Sequence, residues 1–108
     1  MKLRWHPAAA DEAERAVEYL EQRQIGLGSA FAAIMRESLA RIEERPDSSS
    51  PLETAPVGSG YRRLIMPVFR YLIIYRQSAD QIIVVAVSHP SREPNYWLGR
   101  ENDSGTTV

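Results

Sequence analysis

Apolar residues recur at three- and four-residue spacing through Ala10, Ala13, Val17 and Leu20, while Arg15, Glu18 and Glu21 fall on the opposite side. The pattern predicts an amphipathic helix over Pro7–Gln24 with one narrow apolar stripe. Pro7 suits a first helical position, where its missing N–H leaves no bond unmade, and Asp11, Glu12 and Glu14 lie near the positive end of the helix dipole. Ile25-Gly26-Leu27-Gly28 ends the helix, because glycine accepts the left-handed conformation common after a helix C-terminus. A second helix is predicted over Ser29–Arg45. Its stripe of Phe31, Ile34, Met35, Leu39 and Ile42 is wider, and Pro46 stops it. A short turn makes the two helices antiparallel neighbours, a hairpin that needs something flat to lie on.

The other segments carry strand patterns. Lys2–Trp5 reads as a short first strand. Asp47–Gly60, rich in Ser, Pro and Gly, has no periodicity and reads as a loop near the length at which loops become functional or disordered. Three β-rich runs follow, Tyr61–Met66, Phe69–Arg76 and Ile82–His89, separated by Pro67-Val68 and by Gln77-Ser78-Ala79-Asp80-Gln81, which predicts an antiparallel meander. In the middle run Tyr71, Ile73 and Tyr75 oppose Leu72 and Ile74; in the last, Ile83, Val85 and Val87 oppose Ile82, Val84 and Ala86. Both faces of this sheet are apolar, whereas a half-solvated antiparallel sheet alternates apolar with polar positions. If the helical hairpin covers one face, then Tyr96-Trp97-Leu98 folding back, or a second protein, covers part of the other. The expected fold class is α+β, in the order β-α-α-β-β-β, with the hairpin packed on one face of an antiparallel sheet. Leu20, Phe31, Met35, Leu39, Ile42, Ile74 and Val84 are expected to be buried.

Composition narrows the chemistry. At 108 residues the chain suits one small domain, taken as residues 1–100, with the polar Glu101–Val108 expected to be a disordered tail. Cysteine is absent, so there is no disulfide framework and no thiolate nucleophile. The longest apolar run, Ile82–Val87, is too short to cross a bilayer and the N-terminus lacks a signal-peptide core, so a cytoplasmic protein without membrane association is expected. His6 and His89 stand alone, without the spacings that place two metal ligands on one face, and no glycine-rich phosphate loop or serine nucleophile elbow is present. No metal or other cofactor is expected.

Charge is divided along the chain. Up to Val57 there are seven basic residues, Lys2 and six Arg, against ten acidic ones; from Gly58 to Arg100 there are six Arg against Asp80 and Glu93 alone. An Arg-dominated half can meet phosphate or an acidic protein patch, since the guanidinium fork matches both. Arg62, His89, Arg92 and Tyr96 are the groups that would suffice for metal-free RNA cleavage, with a base activating the ribose 2′-hydroxyl and Arg stabilising the phosphorane charge.

The Tyr61-Arg62-Arg63 opening, the middle strand Phe69-Arg70-Tyr71-Leu72-Ile73-Ile74-Tyr75-Arg76 and the closing His89-x-x-Arg92-x-Pro94-x-Tyr96-Trp97 resemble the ParE-like branch of the RelE/ParE toxin family. The resemblance covers the chain up to Arg100. It implies the toxin of a type II toxin–antitoxin, or plasmid stabilisation, module, bound by a cognate antitoxin, meeting DNA only through that antitoxin and self-associating when alone. RelE-like members are ribosome-dependent mRNA endonucleases, and ParE-like members inhibit DNA gyrase without cleaving nucleic acid. Nuclease members place basic residues on the inner face of the first two meander strands, where this chain has Leu64 and Leu72. The expectation is therefore gyrase inhibition by binding, through Arg62, Arg63, Arg70, Tyr71, Tyr75, Arg92, Tyr96 and Trp97. The alternatives are a ribosome-dependent mRNA endonuclease using Arg62, His89, Arg92 and Tyr96, or a non-toxic binding module.

Overall fold

Strand β1 (Lys2–Trp5) passes through His6 into helix α1 (Pro7–Arg23), followed by helix α2 (Leu27–Glu44) and strands β2 (Ser50–Pro51), β3 (Tyr61–Ile65), β4 (Leu72–Ser78) and β5 (Gln81–Ser88). The computed structural model describes residues 2–56, 58–78 and 80–100. The tail expected to be disordered, Glu101–Val108, lies outside the described residues.

Both helix starts follow from local chemistry. The His6 imidazole caps α1 by accepting from the Ala8 N–H at 3.0 Å, and Pro7 occupies the first turn. Gly26 takes φ 95° before α2, the left-handed conformation anticipated for the turn. Glu21 on α1 caps α2 from the side, its carboxylate accepting from Gly26 N–H at 3.0 Å and Gly28 N–H at 2.9 Å. Those two donors, Gly26 first, hold its carboxyl below the ordinary carboxylate value. At Gly28 the helices approach so closely that an added Cβ would lie 2.8 Å from the Val17 carbonyl oxygen. Gly28→Ala is therefore expected to lower stability by about 1–3 kcal/mol through overpacking against backbone. A urea titration checks this, and an unchanged midpoint would mean that the helices separate there without cost.

Both helices lie on one face of the sheet, where Ala9, Ala13, Ala16, Phe31, Met35 and Ile42 share a buried cluster with Ile73, Tyr75, Ile82 and Val84. The buried face of α1 is rotated from the predicted stripe, with Ala9 and Ala16 beside Ala13 and with Val17 and Leu20 only at the margin. Small side chains let the α1 backbone lie close to β5. Of the residues expected to be buried, Leu20 and Leu39 are only partly covered.

The sheet runs β1-β5-β4-β3-β2 and is mixed, not purely antiparallel. The meander β3-β4-β5 is antiparallel, while β1 sits at the edge, parallel to β5, with Trp5 opposite Val84. Parallel pairing requires a long crossover, and the helical hairpin provides it. Strict alternation fails in β5, where Ile74 pairs with Ala86 but Tyr75 pairs with Val84. Val85 is the extra residue of a bulge. Beyond it Val87 turns to the helical face with Ile82 and Val84, while Ile83, Val85 and Ala86 share the other.

The first hairpin also differs from the predicted two-residue turn. The connection spans Met66 to Tyr71, with Val68 at φ 70° and Arg70 at φ 62°, so Phe69, Arg70 and Tyr71 precede the strand. The early reversal brings the rings of Phe69 and Tyr71 to 5.3 and 5.0 Å from Phe31. Packing against α2 outweighs continuation of the strand.

The second face is covered by the chain itself. Trp97 folds back onto Ile74, Val85 and Ala86, and the segment read as a loop forms the short β2 at the sheet edge and contributes Leu52 and Ala55 to the same cluster. Asn95 ties the two covers together, donating to the Thr54 carbonyl at 2.6 Å and accepting from the Thr54 hydroxyl at 3.1 Å. Leu98 remains largely exposed.

Candidate functional site

After β5 the chain turns across α1, and His89, Arg92 and Tyr96 converge there with Tyr71, Tyr19 and Arg15 around an open cleft of about 230 Å³. His89 is fixed by its own turn, Nδ1 accepting from the Ser91 N–H at 3.0 Å and lying 2.7 Å from the Ser91 hydroxyl oxygen. Its ring meets Tyr71 edge-on at 5.2 Å. Arg92 lies over the Tyr96 ring with its guanidinium carbon 3.7 Å from the centroid, a cation–π contact that restricts both groups.

Behind the cleft Glu12 joins three parts of the chain. One carboxylate oxygen accepts from the Val87 N–H at 2.9 Å and from Arg100 Nη1 at 3.0 Å; the other accepts from the Tyr96 hydroxyl at 2.7 Å and from Arg100 Nη2 at 3.0 Å. Arg100 also donates to the Val85 carbonyl at 3.0 Å. Burial, the largest single influence, raises the Glu12 pKa, but the donors from Arg100, Tyr96 and Val87 together outweigh it and hold the carboxyl below its ordinary value. The Tyr96 phenol is pushed up to about 12, by burial first and then by its bond to Glu12. At neutral pH its proton is present and committed to a carboxylate.

Neither Glu12 nor Arg100 stood out in the sequence as a site residue. A signal existed for Glu12, which follows Ala9 by three residues and precedes Ala16 by four, an acidic group within a buried stripe. Arg100, beyond the last strand, carries no local mark.

The remaining candidates are dispersed. Arg62 points to the helical side at the far end of β3, opposite Tyr75, and donates to the Ser49 carbonyl at 2.6 Å. Arg63 faces the other side, where with Leu72, Ile74, Tyr96 and Trp97 it lines a second cleft of about 230 Å³. Leu64 and Leu72 therefore do not share an inner face: Leu64 lies with Ile73 on the helical side and Leu72 with Ile74 on the opposite one. Arg70 is exposed in the β3–β4 connection. Tyr75 and Trp97 are buried within the chain, Tyr75 donating to the Pro46 carbonyl at 2.6 Å and the Trp97 ring tilted against Tyr61 at 4.7 Å.

A shallow groove of about 470 Å³ between the helices is lined by Ala13, Val17 and Met35, with Glu14 and Glu18 beside them. No cluster of potential metal ligands occurs among the described residues, and no described helix is long and apolar enough to cross a membrane.

Known proteins place this architecture. No curated protein matches the chain. A solved structure, described as the chromosomal ParDE TA system from P. aeruginosa, superposes with a TM-score of 0.66 at 16% identity, covering 82% of this chain and 95% of that one. At that identity the likeness concerns the fold. Residues 3–94, from β1 to the segment that seals the second face, match the family described as the ParE toxin of the type II toxin–antitoxin system parDE, and the chain belongs to that family.

Proposed function

We propose that the protein is a toxin that inhibits DNA gyrase by binding it, and that a cognate antitoxin neutralises it by seating an apolar helix in the groove between α1 and α2. The observation that carries the first part is that the ribonuclease set is incomplete at the cleft, where His89 and Arg92 stand without Arg62 and with the Tyr96 hydroxyl already engaged. Arg62 is bound to the Ser49 carbonyl and lies away from the cleft of His89, Arg92 and Tyr96, and the Tyr96 proton is held by Glu12. Metal-free ribonuclease chemistry needs a base, an acid and a cation around one phosphate. A binding inhibitor needs only a presented surface, and Arg63, Arg70 and Arg92 supply cations for an acidic protein patch. The groove supports the second part: the chain covers its own second sheet face, and the partly buried Val17 lines an open apolar groove whose floor is the buried Ala13 and Met35.

Expression without a partner tests this reading. Purified chain should stop supercoiling by gyrase and leave translated messages intact. His89→Ala should retain toxicity nearly in full, whereas Arg63→Glu and Arg92→Glu should reduce it about tenfold or more by reversing a contact charge. Val17→Glu should leave the toxin active but resistant to antitoxin rescue. Cleavage of messages in phase with codons, with gyrase unaffected, would replace the proposal with the ribosome-dependent nuclease. Absence of any growth effect would favour the non-toxic binding module.

A further inference from the structure

We propose that the cleft between α1 and the segment after β5 is a binding site for a phosphorylated nucleoside, the phosphate held by Arg92, Arg15 and His89 and the base packed against Tyr19 and Tyr71. The site goes beyond gyrase inhibition and does not depend on it. It opens on the helical side of the sheet, apart from the α1/α2 groove, and shares Arg92 and Tyr96 with the second-face cleft that holds Arg63.

Its charge is what an anion requires. The Arg92 guanidinium is oriented by the Tyr96 ring, and its N–H groups make no hydrogen bond or ion pair with another described residue. Arg15 is engaged only by Asp11, at 3.5 Å and in solvent, a contact that contributes little. The one carboxylate in the wall, Glu12, has two donors on each oxygen and the Arg100 guanidinium against it, so its repulsion of an incoming phosphate is largely cancelled. A guanidinium that keeps its N–H donors available while its plane is fixed is suited to phosphate oxygens.

Its surface suits a base more than an acidic side chain. Tyr19 and Tyr71 line the cleft beside the imidazole of His89, and Tyr19 is half exposed although it is a large aromatic residue. Aromatic rings interleaved with Arg form the platform on which single bases stack, and a carboxylate makes no use of them. At about 230 Å³ the open cleft is the size of part of one nucleotide. A free nucleotide and the 5′-phosphorylated end of a single strand present the same chemistry.

The test is ligand-observed NMR on the full chain with AMP, adenosine, inorganic phosphate, and a pentanucleotide with and without a 5′-phosphate. Saturable millimolar or tighter binding of AMP is expected, with adenosine and inorganic phosphate each weaker. Arg92→Ala should weaken AMP about tenfold, the loss of a charge-assisted contact. Tyr19→Ala should weaken AMP about fivefold while leaving inorganic phosphate unchanged, as loss of a stacking surface requires. Both side chains are exposed, so neither change threatens the fold, and Arg36→Ala on the far helix serves as the control. Preference for the phosphorylated pentanucleotide over AMP would assign a strand end, and the reverse a free nucleotide. Absence of saturable binding of both AMP and the phosphorylated pentanucleotide, AMP binding that survives Arg92→Ala, or inorganic phosphate binding as tightly as AMP would overturn the proposal. None of these readouts involves gyrase, so failure here and failure of the target assignment are separable.

Discussion

Trp97→Ala is expected to lower the stability of the protein by about 3–5 kcal/mol, the range for removing a large buried aromatic side chain. Trp97 is only 1% exposed and fills the second face against Ile74, Val85, Ala86 and Ala55, with the Tyr61 ring tilted against it at 4.7 Å. A small domain holds about 5–15 kcal/mol in total, so such a loss removes a large part of it. The bulge at Val85 makes the effect specific, because Val85 and Ala86 both face Trp97 where strict alternation would present one of them. Urea unfolding followed by circular dichroism measures the change, and binding of a hydrophobic dye should rise as the sheet face opens. A loss below about 1 kcal/mol would show that the segment after β5 does not seal that face.

Glu12→Ala is expected to cost about 3 kcal/mol, because it leaves the Val87 N–H and the Tyr96 hydroxyl without their acceptor and the Arg100 guanidinium with the Val85 carbonyl but no counter-charge. The side chains of Glu12 and Arg100 are 13% and 17% exposed, so water replaces the lost bonds poorly. The same contacts set a pH dependence. The Glu12 carboxyl is held below its ordinary value of 4.5 in the folded state, so its contribution is present above that pH and is lost as pH falls through the lowered value. Stability of the natural sequence should therefore fall more steeply with acid below about 4.5 than that of Glu12→Gln. Tyr96 acts at the other end of the scale. Its folded pKa of about 12 lies above the ordinary 10, so its contribution is present below 10 and disappears as pH rises through 12. Burial raises Tyr71 and Tyr75 as well, so in an alkaline absorbance titration Tyr96 is the part of the late ionisation, near 12, that moves toward 10 in Glu12→Gln. Parallel acid profiles for the two proteins, or identical alkaline titrations, would mean that Glu12 does not hold the segment in solution.

Only part of the candidate site could be read before the fold was known. His89, Arg92 and Tyr96 stood out because a turn, two polar groups and an aromatic follow a strand within a few residues, and the structure brings those three together. Arg62 seemed equivalent to them and is not, because its position depends on which face of β3 it occupies and on the Ser49 carbonyl that binds it. Tyr75 and Trp97 carried the composition of a contact surface, yet aromatic content is the same for a contact and for a core, and both are buried.

The sequence by itself determined the two helices, the three-stranded meander, the capping glycine at Gly26 and the apolar character of both sheet faces. These depend on periodicity and backbone preference within a few residues, which a chain displays locally. The tertiary structure decided the parallel docking of β1, the extra residue at Val85, the two-residue β2, the early reversal at Val68 and Arg70, and the Glu12–Tyr96–Arg100 clasp. Each is a bargain between distant segments: Glu12 and Arg100 lie 88 residues apart, and Thr54 and Asn95 lie 41 apart. A bond across such separations leaves no periodic trace in either segment, because its energy exists only once the segments have been brought together.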